Sequence, residues 1–412
     1  MASSHPRIAI IGGGPAGLTA GLLLHKHDIP FTLFELRHKP TEEELSKPSG
    51  MLDLHEGSGI AAIKECGLYD ELLMLMGECS EAQKVSDKHG NILYADEGEL
   101  SNRPEISRHA LINLLTSQLP ADRIKWNHRL VSASSPSPSN PEVELDFASH
   151  GKQTFDLVIG ADGAWSKVRS LLTDVRPHYA GWQIITVTMR EVTTKYPYLD
   201  KLVGKGSFAA LGDRHGVMSQ RGSQDSARIY IFLTVDDEHF ATTRHLAGET
   251  AARTKEQLLS DPALLGTWDP AINALVAVAC DEEVADNPGS AVNIRPMYML
   301  PIGYAWEHRT GATLVGDAAH LMPPAGQGVN VAMSDSLLLA RAVVKAYETA
   351  GKDSASFQKA LDPLLTEFEA DMIARAKDEA EEALEINGMM FGEDGAKALA
   401  GFFSMALPPE QT

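Results

Sequence analysis

Residues 8–23 read IAIIGGGPAGLTAGLL, and this stretch decides the fold. Ile8-Ala-Ile-Ile11 is a short apolar run rich in β-branched side chains, the composition of a buried parallel strand. Gly12-Gly13-Gly14-Pro15-Ala16-Gly17 fits G-x-G-x-x-G. In that pattern Gly12 permits a tight turn, Gly14 lets backbone amides approach a pyrophosphate, and Gly17 lets a helix lie close to the sheet. Pro15 suits the first helical turn, where a missing N–H costs nothing. Leu18, Leu22 and Leu23 then give the helix an apolar face. Its N-terminus offers unpaired N–H groups to phosphate, so Gly12, Gly14, Pro15, Ala16 and Gly17 are candidate cofactor contacts. Phe31-Thr-Leu-Phe-Glu35 reads as a second strand, and Glu35, 18 residues beyond Gly17, is placed to accept hydrogen bonds from a ribose. An acid there, and not an arginine, favours the unphosphorylated adenosine ribose of FAD or NAD.

Two later segments bear on which dinucleotide is bound. Asp156-Leu-Val-Ile-Gly160 is another buried strand and runs into Ala161-Asp162-Gly163-Ala-Trp-Ser166-Lys-Val-Arg169. Ala312-Thr-Leu-Val-Gly316 leads into Asp317-Ala-Ala-His320-Leu-Met-Pro323-Pro324-Ala-Gly326-Gln327-Gly328-Val329-Asn330. A carboxylate at a strand end, Asp317, suits the hydroxyls of a ribityl chain. Gly326, Gln327 and Gly328 precede an apolar helix, Val329 to Val344, and bring amides to where a reduced flavin carries negative charge.

These segments resemble the D-G and G-D fingerprints of the class A flavoprotein monooxygenases, the family of para-hydroxybenzoate hydroxylase. With the glycine motif they make three signatures in the family's order over the first 330 residues. Gly50-Met-Leu-Asp53-Leu-His55-Glu-Gly57-Ser-Gly59, Asn102-Arg103-Pro104-Glu-Ile-Ser-Arg108 and Gly316-Asp317 to Pro324 look closest to the tetracycline-inactivating flavin monooxygenases. The resemblance implies an α/β fold: a Rossmann-like FAD-binding domain, an inserted mainly β substrate domain and a C-terminal helix. It adds Asp53, Arg108, Asp162, Gly316, Asp317, Pro324, Gly326, Gln327, Gly328, Val329 and Asn330 to the cofactor contacts. It further implies that NADPH or NADH reduces FAD, and that O2 adds at flavin C4a. The resulting C4a-hydroperoxyflavin passes one oxygen atom to a small organic substrate.

Two departures from that subgroup stand out. An arginine that contacts NADPH there is replaced here by Ser46, with Lys47 beside it as the candidate nicotinamide-dinucleotide contact. A phenylalanine facing substrate is missing, because Pro324-Ala325-Gly326 is one residue shorter; a phenolic, polyketide-like or alkaloid substrate is then as consistent as a tetracycline. His55 and His320 read as structural histidines. No second G-x-G-x-x-G follows a strand, so the reductant visits transiently. No nucleophile–base pair or metal-ligand cluster has convincing spacing, which fits a cofactor that carries the chemistry.

The chain has 412 residues, room for about two to three domains. Residues 1–72, 97–174 and 294–347 are expected to assemble into one FAD-binding domain, 73–96 and 175–293 into the substrate domain, and 348–412 into a helical tail. Asn91–Tyr94 and Glu142–Phe147 alternate like strands, and Ser132–Pro141 reads as a loop between hairpin strands. In the middle, Ile184–Met189, Ser207–Leu211 and Arg228–Leu233 predict a sheet roofing the flavin, with Arg214, Met218, Gln220, Arg221 and Tyr230 as candidate substrate-lining residues. The tail is expected to be helical from Pro363 to Leu407. Leu364, Leu365, Phe368, Met372, Ile373 and Ala376 form its apolar stripe, while Asp378, Glu379, Glu381 and Glu382 face solvent. Met389-Met390-Phe391 and Phe402-Phe403 either cap the pocket or finish the core.

A net charge of −20 argues against a hold on nucleic acid or anionic membrane. No apolar run is long enough to span a bilayer, and the N-terminus is too polar and brief for a secretory signal, so a cytoplasmic address is expected. Three cysteines are too few and scattered for a disulfide framework; buried free thiols are expected. The expected partners are a small molecule and O2, and the sequence carries no signal for oligomeric state. Two other readings share the cofactor: a non-oxygenating flavin dehydrogenase or reductase, and a redox-sensing flavoprotein without turnover. A flavin-dependent halogenase is excluded by the absent Trp-x-Trp-x-Ile-Pro signature, since Trp182 is followed by Gln-Ile-Ile.

Overall fold

The structure, a computed structural model, describes residues 5–76, 82–98, 105–135, 141–351 and 353–406. Cys79, Asn102, Arg103, Pro104, Leu407 and much of the loop expected over Ser132–Pro141 (residues 136–140) lie outside these. Among the described residues no helix is long and apolar enough to cross a membrane. Cys66 and Cys280 are free and buried.

Ile8–Ile11 is a strand, buried at every position, at the centre of a five-stranded sheet. It pairs in parallel with Leu157–Gly160 on one side and Thr32–Phe34 on the other. Ala312–Leu314 adds to Leu157–Gly160, and Ile124–Lys125 to Thr32–Phe34, both in parallel. Strands covered on both faces need continuous apolar runs, which is why all of these segments but Ile124–Lys125 were legible. The helix Pro15–Lys26 is buried from Ala16 to Leu24, because the long helix Gly328–Ala350 lies across it. The Ser336 hydroxyl donates to the Ala16 carbonyl at 2.8 Å and fixes that crossing.

A seven-stranded sheet forms the second layer, and it includes Gln83–Asp87 and Ile92–Asp96 from the early segment. Its long strands are His178–Met189, Ser207–Gly212, His215–Gly222 and Ser226–Thr234. Ile294–Met299 pairs with His178–Met189 and extends this sheet past residue 293. Strand alternation divides its faces. Ile185, Val187, Val217, Ile229 and Ile231 pack against the helices Ala251–Ser260 and Pro270–Asp286, a layer the sequence reading did not foresee. Ile184, Met218, Tyr230 and Phe232 lie on the opposite, inner face.

Two differences from expectation have local causes. Ser132–Ser134 is a strand, paired with Val143–Asp146, so the loop is shorter than its Ser-rich composition predicts. The tail helix runs Ser354–Met390 and passes through Pro363, beginning at an Asp353 cap whose side chain accepts from Ser356 N–H at 2.9 Å. It stops at Phe391, and a second helix, Gly395–Ala406, turns back. A Cβ at Gly395 would stand 1.9 Å from the Met390 carbonyl oxygen, so the reversal needs glycine. Leu365, Phe368, Met372 and Ala376 are buried as the stripe requires, with Leu364 and Ile373 at its half-buried edges. Phe391 finishes the core of the inner face, packed on Trp182 and Phe232 at ring distances of 5.8 and 5.0 Å. Phe403 packs at 5.4 Å on Tyr94, while Phe402 is exposed.

Candidate cofactor and substrate site

The glycine loop is built from backbone contacts. Gly12 has φ +110, and a Cβ there would stand 2.2 Å from the Ala161 carbonyl oxygen. At Gly17 a Cβ would stand 2.0 Å from the Gly12 carbonyl oxygen. Both glycines are therefore required by the protein's own packing. Gly14 differs: it caps the helix, and a Cβ there meets no atom within 4 Å. The Glu35 carboxylate accepts from Gly13 N–H at 2.6 Å and from Arg37 N–H at 2.9 Å. Each oxygen keeps a lone pair for a ribose hydroxyl.

The second end of the site lies across the crossing of the two long helices. Gly326 has φ +87, and neither it nor Gly328 has protein within 4 Å of a built Cβ. Gln327 caps the helix that starts at Gly328 and carries half-buried Val329. Gly316 has φ +61, and its Cβ would press Ala332 at 2.9 Å, so this glycine serves packing. Asp317 is accessible to solvent, yet burial raises its carboxyl pKa, opposed by the charges of His320 and Arg108. Asp317 thus keeps accessible surface while protein packs closely around it. Among the described residues no group of His, Cys, Asp and Glu is arranged to hold a metal.

Two separated motifs meet next to Asn330. Met51–Asp53 pairs antiparallel with Glu105–Ser107, a two-stranded sheet that the sequence reading missed. Arg108 opens the helix Arg108–Ser117, capped by the Ser107 side chain, and its N–H donates to the Gly50 carbonyl at 2.9 Å. The Asn330 amide donates to the Asp53 carbonyl and accepts from His55 N–H, each at 2.8 Å. With its side chain so engaged, Asn330 ties Asp53 to the Gly328 helix and offers a ligand its backbone alone. Asn330→Ala is expected to weaken FAD binding by about tenfold or more through loss of these two buried bonds; titration of the apoprotein followed by flavin fluorescence measures it.

Asp162 is used locally. Its carboxylate accepts from Ser166 Oγ at 2.5 Å and Lys167 N–H at 2.7 Å, and so holds its own turn. Gly163, with φ +76, has open space at its Cα. The buried Arg169 donates to the Ala164 and Ala318 carbonyls at 2.6 and 3.0 Å, joining this turn to the Asp317 segment. The Pro324 carbonyl accepts from Asn387 of the tail helix at 3.1 Å. Lys47 is half exposed, 3.9 Å from Glu43, and its carbonyl lies 3.1 Å from the His109 ring next to Arg108.

Under the roof the predicted residues separate. Met218 faces Tyr230 in register, and Gln220 faces Arg228, all on the inner face. Arg221, one residue out of phase, points to the other face and pairs with Asp225 at 2.7 Å and Asp200 at 3.4 Å. Arg214 sits exposed in the hairpin turn at φ +62, at the far end of the strand from Gln220. Arg221 is off the inner face because a strand presents only alternate residues to one side, and Arg214 because it lies in the turn between strands.

The sequence reading also passed over a buried trio. Asp335, fully buried, accepts from His320 Nε2 at 2.5 Å, from Gly316 N–H at 3.1 Å and from Arg375 of the tail at 3.2 Å. Burial lowers the His320 pKa, but Asp335 and then Asp317 outweigh it, so the imidazole is held above its usual range. A lone acid on the apolar face of the Gly328 helix was the available signal.

Glycines that no protein contact requires, two helix N-termini, the Glu35 carboxylate at the end of the second strand and a desolvated acid together fit FAD. The family model described as "FAD binding domain" matches residues 6–269 and 304–356. The chain is 38% identical over 408 residues to Monooxygenase penA of Penicillium thymicola, covering 91% of this chain and 93% of that protein. It is 36% identical to Monooxygenase asqM of Emericella nidulans, with 91% and 93% covered. Among solved structures, tetracycline destructase Tet(55) superposes with a TM-score of 0.63 at 18% identity over 95% of this chain and 98% of that one, a likeness of fold. The chain belongs to the FAD-binding monooxygenase family and is an FAD-dependent monooxygenase of the class A flavoprotein type.

Proposed function

We propose that this enzyme inserts one oxygen atom into an aromatic or polyketide-like metabolite held between the inner face of the seven-stranded sheet and the flavin ring. On this reading the cofactor domain is drawn from residues 1–72, 97–174 and 294–347 and the roof from 73–96 and 175–293, with the strand Ile294–Met299 added to the roof sheet. The observation that carries the reading is one register: Met218, Gln220 and Tyr230 share the inner face. Tyr230 also reaches the cofactor side, its hydroxyl oxygen 3.0 Å from where a Gly50 Cβ would stand. Pockets between layers are where ligands concentrate.

Bound FAD supplies the redox chemistry, taking hydride from NADPH or NADH and activating O2. The chain's part is to bind, orient and exclude water. The amides of Gly14, Ala16 and Gly17 would face the diphosphate, with Pro15 setting the first helical turn, and Glu35 would take the adenosine ribose. Asp317 would take the ribityl hydroxyls, and the amides of Gly326 to Val329 would support the ring. Asp53 and Arg108 would lie beside it, and Lys47 would meet the reductant. The close likeness in sequence to penA and asqM supports a monooxygenase of secondary metabolism. The short Pro324–Gly326 turn, held by Asn387, supports a pocket shaped differently from a tetracycline site.

A panel of aromatic metabolites screened for stimulated NADPH oxidation tests this reading. The expected hit consumes O2 and yields a product heavier by one oxygen atom. Substrate oxidised without oxygen gain would assign the site to a dehydrogenase instead.

A further inference from the structure

Two polar side chains of the tail helix Ser354–Met390 reach the segment that carries Asp317 and leads into Gly326–Val329. Arg375 Nη1 donates to the Asp335 carboxylate at 3.2 Å, while its Nε donates to Asp371 of the same helix at 2.8 Å. Asp335 in turn accepts from Gly316 N–H at 3.1 Å and lies 2.5 Å from His320 Nε2. It therefore holds both ends of the short helix Asp317–His320. Asn387 Nδ2 donates to the Pro324 carbonyl at 3.1 Å, just ahead of Gly326. Arg375 and Asn387 are twelve residues apart, about 18 Å along a helix.

We propose that Arg375 and Asn387 are positioning residues for FAD. By tying the tail helix to both ends of residues 316–324 they hold the seat of the ribityl chain and flavin ring in its binding shape, so FAD binding and tail docking reinforce each other. The inference needs FAD binding alone and stands apart from the choice of substrate.

Between the two ties the tail helix lies directly on this segment. Ala319, His320 and Leu321 face Met372, Ala376 and Ala380 across a cavity of about 20 Å³, and Met322 packs with Val331 and Ala380. Apolar contacts of this kind resist separation but set the register of a helix loosely. A buried charge pair fixes it, because a shifted Arg375 would leave Asp335, which has no exposed surface, short of a partner. Asn387 is buried as well. Its Nδ2 also donates to the Ala383 carbonyl one turn back at 2.7 Å, which aims the amide at Pro324.

Reciprocity follows from thermodynamics. If the docked tail raises FAD affinity by some factor, bound FAD favours the docked tail by the same factor. The coupling runs through contiguous groups: Arg375 to Asp335 to Gly316 and His320 at one end, Asn387 to Pro324 at the other. The tail helix carries none of the residues assigned to the cofactor, so its response to FAD can be read apart from the seat itself.

The test uses the full chain with and without FAD. In the wild type, backbone amides of residues 365–390 are expected to exchange with deuterium about tenfold or more slowly once FAD is bound. The double variant Arg375→Met/Asn387→Ala is expected to bind FAD about tenfold or more weakly in a fluorescence titration of the apoprotein, and to lose most of that FAD-dependent protection. Arg375→Lys, which keeps a cation for Asp335, should bind FAD more tightly than Arg375→Met. Glu385→Gln, exposed on the same helix, should match the wild type. Circular dichroism of each apoprotein shows whether it is folded. Equal exchange with and without FAD in the wild type would overturn the proposal whatever the variants do. So would unchanged FAD affinity in a folded double variant, or a lysine variant no better than the methionine one. Should the double variant fail to fold, wild-type exchange and the comparison of Arg375→Met with Arg375→Lys decide the matter.

Discussion

Gly17→Ala is expected to abolish FAD loading and to destabilise the fold by roughly 3 kcal/mol, whereas Gly14→Ala is expected to weaken FAD binding alone. The two glycines belong to one motif and differ in what surrounds them. A Cβ at Gly17 would lie 2.0 Å from the Gly12 carbonyl oxygen and 3.3 Å from Ala161 Cβ. Backbone cannot rotate aside, so the helix Pro15–Lys26 must lift from the central strand, and the loop between them opens. At Gly14 the φ of −79 is ordinary for alanine, and nothing lies within 4 Å of the added carbon. Its unfolding free energy should stay within about 0.5 kcal/mol of wild type, while the methyl crowds the diphosphate seat. Flavin absorbance per mole of purified protein and thermal unfolding of the apoprotein separate the two effects. Retained flavin in the Gly17 variant would contradict the packing argument. An equal loss of stability in both would contradict the ligand role of Gly14.

Asp335→Ala should cost about 3–5 kcal/mol, the range for breaking a buried ion pair by removing one partner. The carboxylate has no exposed surface and accepts from the His320 ring, the Gly316 amide and Arg375. Its loss strands three donors at the point where the third fingerprint turns toward Asp317. The effect carries a pH signature. The folded His320 pKa is raised above 6.5, so the imidazolium contributes stability that is fully present below that value. That contribution is lost as pH rises through the folded pKa. The difference between wild type and variant should therefore be largest near about pH 6 and shrink in alkaline buffer. Denaturant unfolding at several pH values measures it, and a pH-independent difference would mean that the charged form of His320 is not what Asp335 stabilises.

A second histidine joins the tail to the same domain. His308 lies 2.8 Å from Glu369 and 3.1 Å from Asp362, both on the helix Ser354–Met390. Burial pulls its pKa down, and the two carboxylates raise it overall. The apolar stripe of that helix was plain in the sequence; the acid on its buried side, Glu369, was not, because one polar residue barely disturbs a helical period.

Local signals fixed much of this molecule. The central buried strands Ile8–Ile11 and Leu157–Gly160 are apolar runs, and Gly17 answers to the Gly12 carbonyl five residues away, so a linear reading finds them; Gly12 answers to Ala161, far along the chain. The motifs at Gly50–Gly59 and Glu105–Arg108 were visible as letters, but their pairing into one small sheet was not. Three residues per strand carry too little periodicity to predict register. Asp162 illustrates the converse: a motif residue whose carboxylate serves its own turn.

From its sequence alone the chain determined its cofactor, its enzyme class and the core of its parallel sheet, because these depend on short-range patterns of glycine, β-branched and acidic residues. Tertiary structure decided which side of the roof each residue faces. A shift of one position along a strand reverses a side chain, and only pairing with neighbouring strands sets that phase. Hence Arg221 fell away from the inner face, while Met218, Gln220 and Tyr230 came to share it.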